Sequence, residues 1–326
     1  MSSASAEWKK KTHPSVVEGG LASGETTAVS AAEVALLPSS ARALRRFRFV
    51  TWMVGRNPPT LLGLLLVFAF FLLAAIGPWI VPAPGDATGA MHLADKLQPP
   101  SRAHWFGTDE MGDDIFSRVV MATRTSLWIG LTITLIAVAI GTPLGVAAGY
   151  FGRTIRTVIM RVTDMFLCVP GLVLALAIVA ALGPGILHGV VALAIVWWPG
   201  YVRLIEAKAL TLRGEPFVDA ARTMGASDLR ILFVHILPNC VSPLVVKASM
   251  DMGMAILAAA SLGFIGLGAK PPAPEWGAMI STARSYMPDS WWYSLFPGLF
   301  IFLTVLGFNL LGDGLRDILD PRSARG

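Results

Sequence analysis

Six long apolar segments, separated by polar connections, restrict the possible folds of this chain more than any other feature. A helix that crosses the hydrocarbon core of a bilayer needs roughly 20 consecutive apolar residues. The chain is 54% hydrophobic and 14% charged, whereas soluble domains carry roughly 25% charged residues. The sequence therefore predicts an all-α integral membrane protein with six transmembrane helices, at about 60–80, 125–150, 160–182, 186–205, 241–268 and 293–311.

The segments outside these spans differ in charge, and the difference predicts an orientation. Arginine collects before the first span, between spans two and three, between spans four and five, and after span six. Because cytoplasmic loops of membrane proteins are enriched in Lys and Arg, we expect both termini in the cytoplasm. Arginine in cytoplasmic loops accounts for the net charge of +5, so the charge does not indicate a nucleic-acid partner. We expect membrane lipid to surround the spans.

The expected organisation follows from these spans and charges. It comprises a disordered cytoplasmic tail, an N-terminal segment with the first helix, an extracytoplasmic segment, a membrane core and a cytoplasmic C-terminal tail. The corresponding ranges are 1–40, 41–80, 81–124, 125–312 and 313–326.

A charged insert at about 214–238 interrupts the apolar pattern between spans four and five. Pro216 suits the first position of a helix, Gly225 suits a left-handed C-terminal cap, and Ser227 suits the N-cap of a second short helix. Four residues recur at the spacing of one helix face, namely Phe217, Ala220, Ala221 and Met224. The pattern predicts a helix–Gly–helix hairpin, which is either a docking surface for another protein or an amphipathic loop on lipid headgroups.

The spacing within the insert resembles a known motif. Asp219-Ala220-Ala221 is followed by Gly225 and then by Leu237-Pro238, as in the EAA loop of ATP-binding-cassette (ABC) importer permeases, with Asp in place of the usual Glu. Three further stretches resemble the dipeptide/oligopeptide/nickel branch of that family, and within it the C-type subunit. They are His104–Asp114, Leu262–Gly277 and Phe296–Arg322, and Asp113 stands where the first commonly has Arg.

The resemblance implies a type I ABC importer permease fold, with an outer amphipathic segment after helix 1 and a cytoplasmic coupling-helix hairpin between helices 4 and 5. It also implies that the hairpin docks on an ATPase subunit. The residues that the motif assigns to this coupling are Phe217, Asp219, Ala220, Ala221, Arg222, Met224, Gly225, Leu237 and Pro238.

The resemblance also implies partners. The chain has no Gly-Lys pair, and therefore no G-x-x-x-x-G-K-[ST] phosphate loop. We expect ATP and Mg on two separate cytoplasmic ATPase subunits, with no cofactor and no catalytic residue in this chain. The other implied partners are a second, B-type permease subunit and an extracytoplasmic substrate-binding protein.

The outer segment supplies candidates for docking of that substrate-binding protein. Apolar residues between Trp105 and Phe116 predict an amphipathic helix with Asp113 and Asp114 on its wet face, and the alternative is a simple interfacial helix. The docking candidates are Trp105, Asp109, Asp113 and Asp114. Because His92 and His104 lack a ligand spacing and have no Cys nearby, the sequence predicts no metal site.

Candidates for the translocation path lie in span five. Asp251 is an ionisable residue well inside a span, where a charge is costly, and Met250 and Met254 add adaptable side chains. Lys247 is one turn earlier, so an i, i+4 ion pair within the helix is the favoured alternative for Asp251. Ordinary helix packing is the favoured alternative for the methionines.

Together these features predict a multi-pass permease subunit of an ATP-driven importer for dipeptides or oligopeptides, in the inner or plasma membrane of a prokaryote. The alternative is the same architecture with nickel or another small peptide-like solute as cargo. A stand-alone ion-coupled transporter would show internal repeats or several intramembrane charges. An intramembrane protease would need paired catalytic groups in its spans, and the sequence favours neither class.

Overall fold

The computed structural model describes residues 57–270 and 272–319. The predicted tail at 1–40 and the end of the C-terminal tail lie outside these residues. The described chain folds into helices joined by turns, with one isolated bridge between Thr108 and Asp114. The helices are α1 (Pro58–Ile80), α2 (Ile115–Phe151), α3 (Arg153–Leu167), α4 (Gly171–Leu182), α5 (Ile186–Arg213), α6 (Pro216–Thr223), α7 (Asp228–Phe264), α8 (Trp276–Ala283) and α9 (Trp291–Leu319).

The six predicted spans correspond to five single helices and one bent pair. Helices α1, α2, α5, α7 and α9 are long and apolar enough to cross a bilayer. The third predicted span is broken into α3 and α4, which meet at 84°. Pro170 is the N-cap of α4, and a proline there has no N–H to donate to a continuous helix. The bend therefore lies where the sequence interrupts the backbone hydrogen bonds.

Several helices extend beyond the apolar stretches that predicted them. The second begins at Ile115 rather than at 125, because the Asp114 carboxylate caps it by accepting a hydrogen bond from the Ser117 backbone N–H at 2.9 Å. Helix α5 continues to Arg213, and α9 continues to Leu319. Polar residues thus prolong the spans on both sides of the apolar core.

Helices α2 and α5 pack most closely, along a glycine stripe. A Cβ on Gly141, Gly145 or Gly149 would lie 2.5–2.8 Å from atoms of α5. Close approach through small residues is a common way for membrane helices to associate without a hydrophobic driving force. Helix α7 crosses α2, α9 packs on α7, and α1 packs on α9. The bundle is therefore built around the α2–α5 pair.

The two ends of the bundle carry different structures. At one end lies the hairpin, α6 with the turn to α7, next to Tyr150 at the close of α2. At the other end lies the outer segment, residues 81–114, which joins α1 to the start of α2. It contains two short 3-10 helices, Pro84–Ala87 and Leu93–Asp95, and irregular turns.

Candidate functional site

The hairpin begins and ends with residues suited to those positions. Pro216 occupies the first turn of α6 after an extended Glu215. At the other end Gly225 has φ +80°, and its N–H donates to the Arg222 carbonyl at 2.9 Å. The N–H of Ala226 donates to the Ala221 carbonyl at 3.0 Å. These two bonds form a Schellman motif, in which glycine supplies the left-handed residue.

One face of α6 is buried and the other is free. Val218 and Ala221 are buried against residues of α5 and of the first turns of α7. Residues on the opposite side are exposed, including Phe217, Asp219, Ala220 and Met224. The predicted face is therefore wrong in one respect, since Ala221 packs inward with Val218, which the sequence analysis did not select. The reason is that positions 218 and 221 are one turn apart and point together at the bundle.

The second arm of the hairpin is not the separate short helix that was predicted. It is the start of α7, with a π-helical stretch at Ile231–Ile236. Pro238 follows this stretch, and because it has no N–H and crowds the carbonyl four residues earlier, the wider turn accommodates it. Leu237 packs against the buried face of the hairpin, whereas Pro238 is exposed. Ser227 caps the arm as predicted, accepting from the Arg230 N–H at 3.4 Å.

A polar network ties the hairpin to the end of α2. The Tyr150 hydroxyl donates to Asp228 Oδ1 at 2.5 Å. The Arg222 guanidinium lies 5.5 Å from the centre of the Tyr150 ring and 3.2 Å from Asp219 Oδ1. Sequence reasoning missed Tyr150 and Asp228, because no spacing along the chain relates residues 78 apart.

A second ion pair ties the base of the hairpin to α3. Arg156 Nε donates to Glu206 Oε1 at 2.6 Å, and Glu206 is buried. Glu206 lies on α5, one turn from Ala209 in the buried face of the hairpin. Contacts from the hairpin and its base therefore reach α2, α3, α5 and α7.

The three candidates for the translocation path face different surroundings. Asp251 is buried, with its carboxylate 3.1 Å from Lys247 Nζ, so the predicted i, i+4 pair is confirmed. Asp251 and Met250 line an open pocket of about 450 Å³ between α5, α7 and α9. Met254 is 45% exposed and lies outside the lining of that pocket.

The outer segment corrects the predicted amphipathic helix. Residues 105–114 form turns, and Asp113 and Asp114 are buried rather than on a wet face. Asp109 is buried too, and Arg118 Nη1 lies 2.8 Å from its carboxylate and 3.0 Å from that of Asp113. Of the four docking candidates, Trp105 is the one with an exposed side chain.

Burial sets the electrostatics of these carboxyl groups. Desolvation, together with the nearby charges of Asp109 and Asp86, raises the pKa of Asp113 to about 6, although the Arg118 charge acts to lower it. Desolvation also raises the pKa of Asp109, against the opposing effect of Arg118. The outer segment thus keeps carboxyl groups in a place where their charge is poorly compensated.

Comparison with known proteins agrees with this geometry. The family described as "Binding-protein-dependent transport system inner membrane component" matches residues 141–325. The chain is 45% identical, over 87% of its length and 96% of the relative, to a probable D,D-dipeptide transport system permease protein of Escherichia coli. It is 45% identical to the dipeptide transport system permease protein of Alkalihalophilus pseudofirmus, over 82% of this chain and 87% of the relative.

A glutathione transport system permease protein of Pectobacterium atrosepticum is 49% identical, over 77% of this chain and 84% of the relative. Among solved structures, an inward-facing MetNI methionine ABC transporter chain is similar in fold, with a TM-score of 0.50 and 19% identity over 62% of this chain and 96% of that chain. The chain therefore belongs to the family of binding-protein-dependent transport system inner membrane components, and it has the fold of a type I ABC importer permease.

Proposed function

We propose that this chain imports small peptides as one of two permease subunits, driven by ATPase subunits that dock on the hairpin. The observation that carries the proposal is the two-sided α6. Its exposed side offers Phe217 and Met224 to a partner, while its buried side is anchored by Val218 and Ala221. Exposed aromatic and methionine side chains are frequent at protein interfaces. A surface of this kind on a firmly held base can receive a force and pass it on.

The proposed partners follow from this role. Two cytoplasmic ATPase subunits would carry ATP and Mg, a B-type permease would complete the membrane unit, and an extracytoplasmic binding protein would deliver cargo. The hairpin would then lie on the cytoplasmic side and the outer segment on the other, as the arginine distribution favours. In this arrangement the chain itself performs no catalysis.

The mechanism we propose is alternating access through movement of nearly rigid helices. Closure of the ATPase subunits would shift α6, and the shift would reach α2 through Tyr150 and Asp228, and α3 through Glu206 and Arg156. The close packing of α2 on α5 along the glycine stripe supports movement of these two helices as one unit. The bent α3–α4 pair would take up the change of angle, since its backbone bonds are already interrupted.

Two of the three candidates for the cargo path remain near an opening. Met250 and Asp251 line the 450 Å³ pocket, and adaptable methionine suits varied peptides. The Lys247–Asp251 pair favours a structural role for Asp251, because its charge is already compensated within α7. Met254 is exposed outside the lining of this pocket, where a neighbouring subunit or lipid would cover it.

Transport by the purified complex tests the proposal. The chain, tagged and expressed with its neighbouring genes, should copurify with ATPase subunits and a second permease. In proteoliposomes that contain the binding protein, labelled dipeptides should accumulate only with ATP, and unlabelled D,D-dipeptide, glutathione and Ni²⁺ should be compared as competitors. Purification without any ATPase subunit, or uptake driven by an ion gradient alone, would contradict the assignment.

A further inference from the structure

Three potential metal ligands meet in the outer segment, away from the hairpin and from the pocket near Asp251. They are Asp86 in the first 3-10 helix, His92 just before the second, and Asp113 just before α2. One ligand atom from each lies within 4.8 Å of the other two. Atoms bound to one metal ion at about 2.0–2.3 Å are separated by distances in this range.

Backbone contacts hold the three residues together. The Asp114 N–H donates to Asp86 Oδ2 at 2.6 Å, which fixes the first 3-10 helix against the turn that carries Asp113. The His92 N–H donates to the Met111 carbonyl at 2.8 Å. Gly112 allows this approach, because a Cβ there would lie 1.9 Å from the His92 carbonyl oxygen. The backbone that carries the three ligands is therefore held in place by the fold.

The charges at this place are out of balance. Asp86, Asp109, Asp113 and Asp114 are all buried, with at most 5% of each side chain exposed. Arg118 is paired with two of them through one nitrogen, Nη1. A buried carboxylate is costly unless it is paired with a cation.

One carboxylate oxygen of Asp113 has unused capacity to bind a cation. Its Oδ2 lies 3.0 Å from Arg118, but its Oδ1 is buried and has no hydrogen-bond partner in the described part of the chain. Such an unsatisfied carboxylate oxygen in a native fold calls for an explanation, and an ion is one of the common ones. His92 supplies a neutral nitrogen nearby, with Nε2 3.3 Å from Asp86 Oδ1.

We propose that Asp86, His92 and Asp113 bind a divalent transition-metal cation, with water completing its coordination. Two carboxylates and one imidazole suit Zn²⁺ or Mn²⁺ better than Mg²⁺ or Ca²⁺, which prefer oxygen ligands alone. The cation fastens the outer segment to the start of α2. It is a fixed part of the fold and not cargo, because both carboxylate ligands are buried beneath the turns of the outer segment.

The test uses the full chain, purified with a tag that contains no histidine, treated with EDTA and then dialysed. ZnCl₂ and MnCl₂ are titrated by calorimetry, the bound metal is counted by mass spectrometry, and the thermal midpoint is recorded, with MgCl₂ and CaCl₂ for comparison. We expect about one Zn²⁺ per chain, and a rise of about 5 °C in the midpoint at about 100 times the dissociation constant.

Two variants separate this site from other histidines. His92→Ala removes a half-exposed ligand without disturbing packing, and should weaken Zn²⁺ binding at least about 100-fold. His104→Ala is the matched control, because His104 lies 3.2 Å from Asp114 but outside the three-residue cluster. It should bind Zn²⁺ as the native chain does.

Asp113→Asn tests the second ligand and should lose both the bound metal and the shift in midpoint. The proposal is wrong if Zn²⁺ leaves the native midpoint unchanged, or if His92→Ala binds as tightly as the His104→Ala control. A midpoint that falls in His92→Ala but does not respond to Zn²⁺ in the native chain would also overturn the proposal, leaving the His92–Asp86 contact as the reason for this arrangement.

Discussion

The hairpin and the outer segment both carry Asp and Arg, yet the fold buries the charges of one and exposes those of the other. In the hairpin Asp219 and Arg222 are exposed, and the residue that anchors α6 is apolar Val218. In the outer segment Asp109 is fully buried, whereas Trp105 is 63% exposed.

The difference comes from how each region satisfies its backbone. Helix α6 makes its own N–H to carbonyl bonds, so its buried face can be purely apolar. The outer segment has little helix, and its N–H groups need side-chain acceptors. Asp109 Oδ1 accepts from the backbone N–H groups of Met111 and Asp113, and Asp86 accepts from that of Asp114. One region thus has an apolar anchor and exposed charges, and the other is a polar core.

The substitution Arg118→Leu should have the largest effect on the outer segment. It removes the cation beside buried Asp109 and Asp113, and should lower the free energy of unfolding by about 3–5 kcal/mol, because two carboxylates lose their partner. Thermal unfolding of the purified chain measures the effect. The control is Arg102→Leu, at an exposed position of the outer segment, which should leave the free energy of unfolding nearly unchanged. Equal effects of the two changes would mean that the outer segment does not depend on its polar core.

Val218→Ala tests the apolar anchor of the hairpin. Val218 is fully buried, and the loss of two methyl groups should cost about 2 kcal/mol of stability. Its neighbour Phe217 is 41% exposed, so Phe217→Ala should leave the thermal midpoint nearly unchanged but weaken ATPase binding in pull-down assays. If Phe217→Ala were the more destabilising change, the assignment of the free and buried faces of α6 would be wrong.

Gly225→Val tests whether the hairpin transmits movement. At φ +80° a β-branched residue costs about 1–2 kcal/mol, while a Cβ there meets nothing within 4 Å. We expect the complex to assemble and uptake to fall about 10-fold or more, measured in proteoliposomes together with ATP hydrolysis. Gly266→Val is the control, since Gly266 has φ +90° and equal space but lies at the other end of the bundle. Normal uptake by Gly225→Val would show that the left-handed turn at Gly225 is not needed for coupled transport.

The sequence predicted those features of the fold that depend on local patterns. The six spans follow from apolar length, and the turns around Gly225 and Ser227 follow from local backbone preferences. The outer segment could not be predicted in this way. Asp113 lies more than 20 residues beyond Asp86 and His92 in a segment with little regular structure, and no periodicity relates the three. The burial of Glu206 could likewise not be predicted, because it depends on Arg156 from another helix.

Substitution of Asp251 should have the smallest effect on transport and assembly. Asp251 resembles the carboxylates of the outer segment in being buried, but its partner Lys247 lies on the same helix. Asp251→Asn keeps an oxygen that can accept from Lys247 Nζ, now 3.1–3.3 Å away. A pair at i, i+4 contributes about 0.2–0.5 kcal/mol on exposed helices, so we expect unchanged assembly and dipeptide uptake within about twofold of the native complex. Lys247→Met is the matched change, because it leaves the Asp251 charge buried without its partner. It should lower the free energy of unfolding more than Asp251→Asn does. A large loss of uptake in an Asp251→Asn complex that assembles normally would instead place this carboxylate on the path of the cargo.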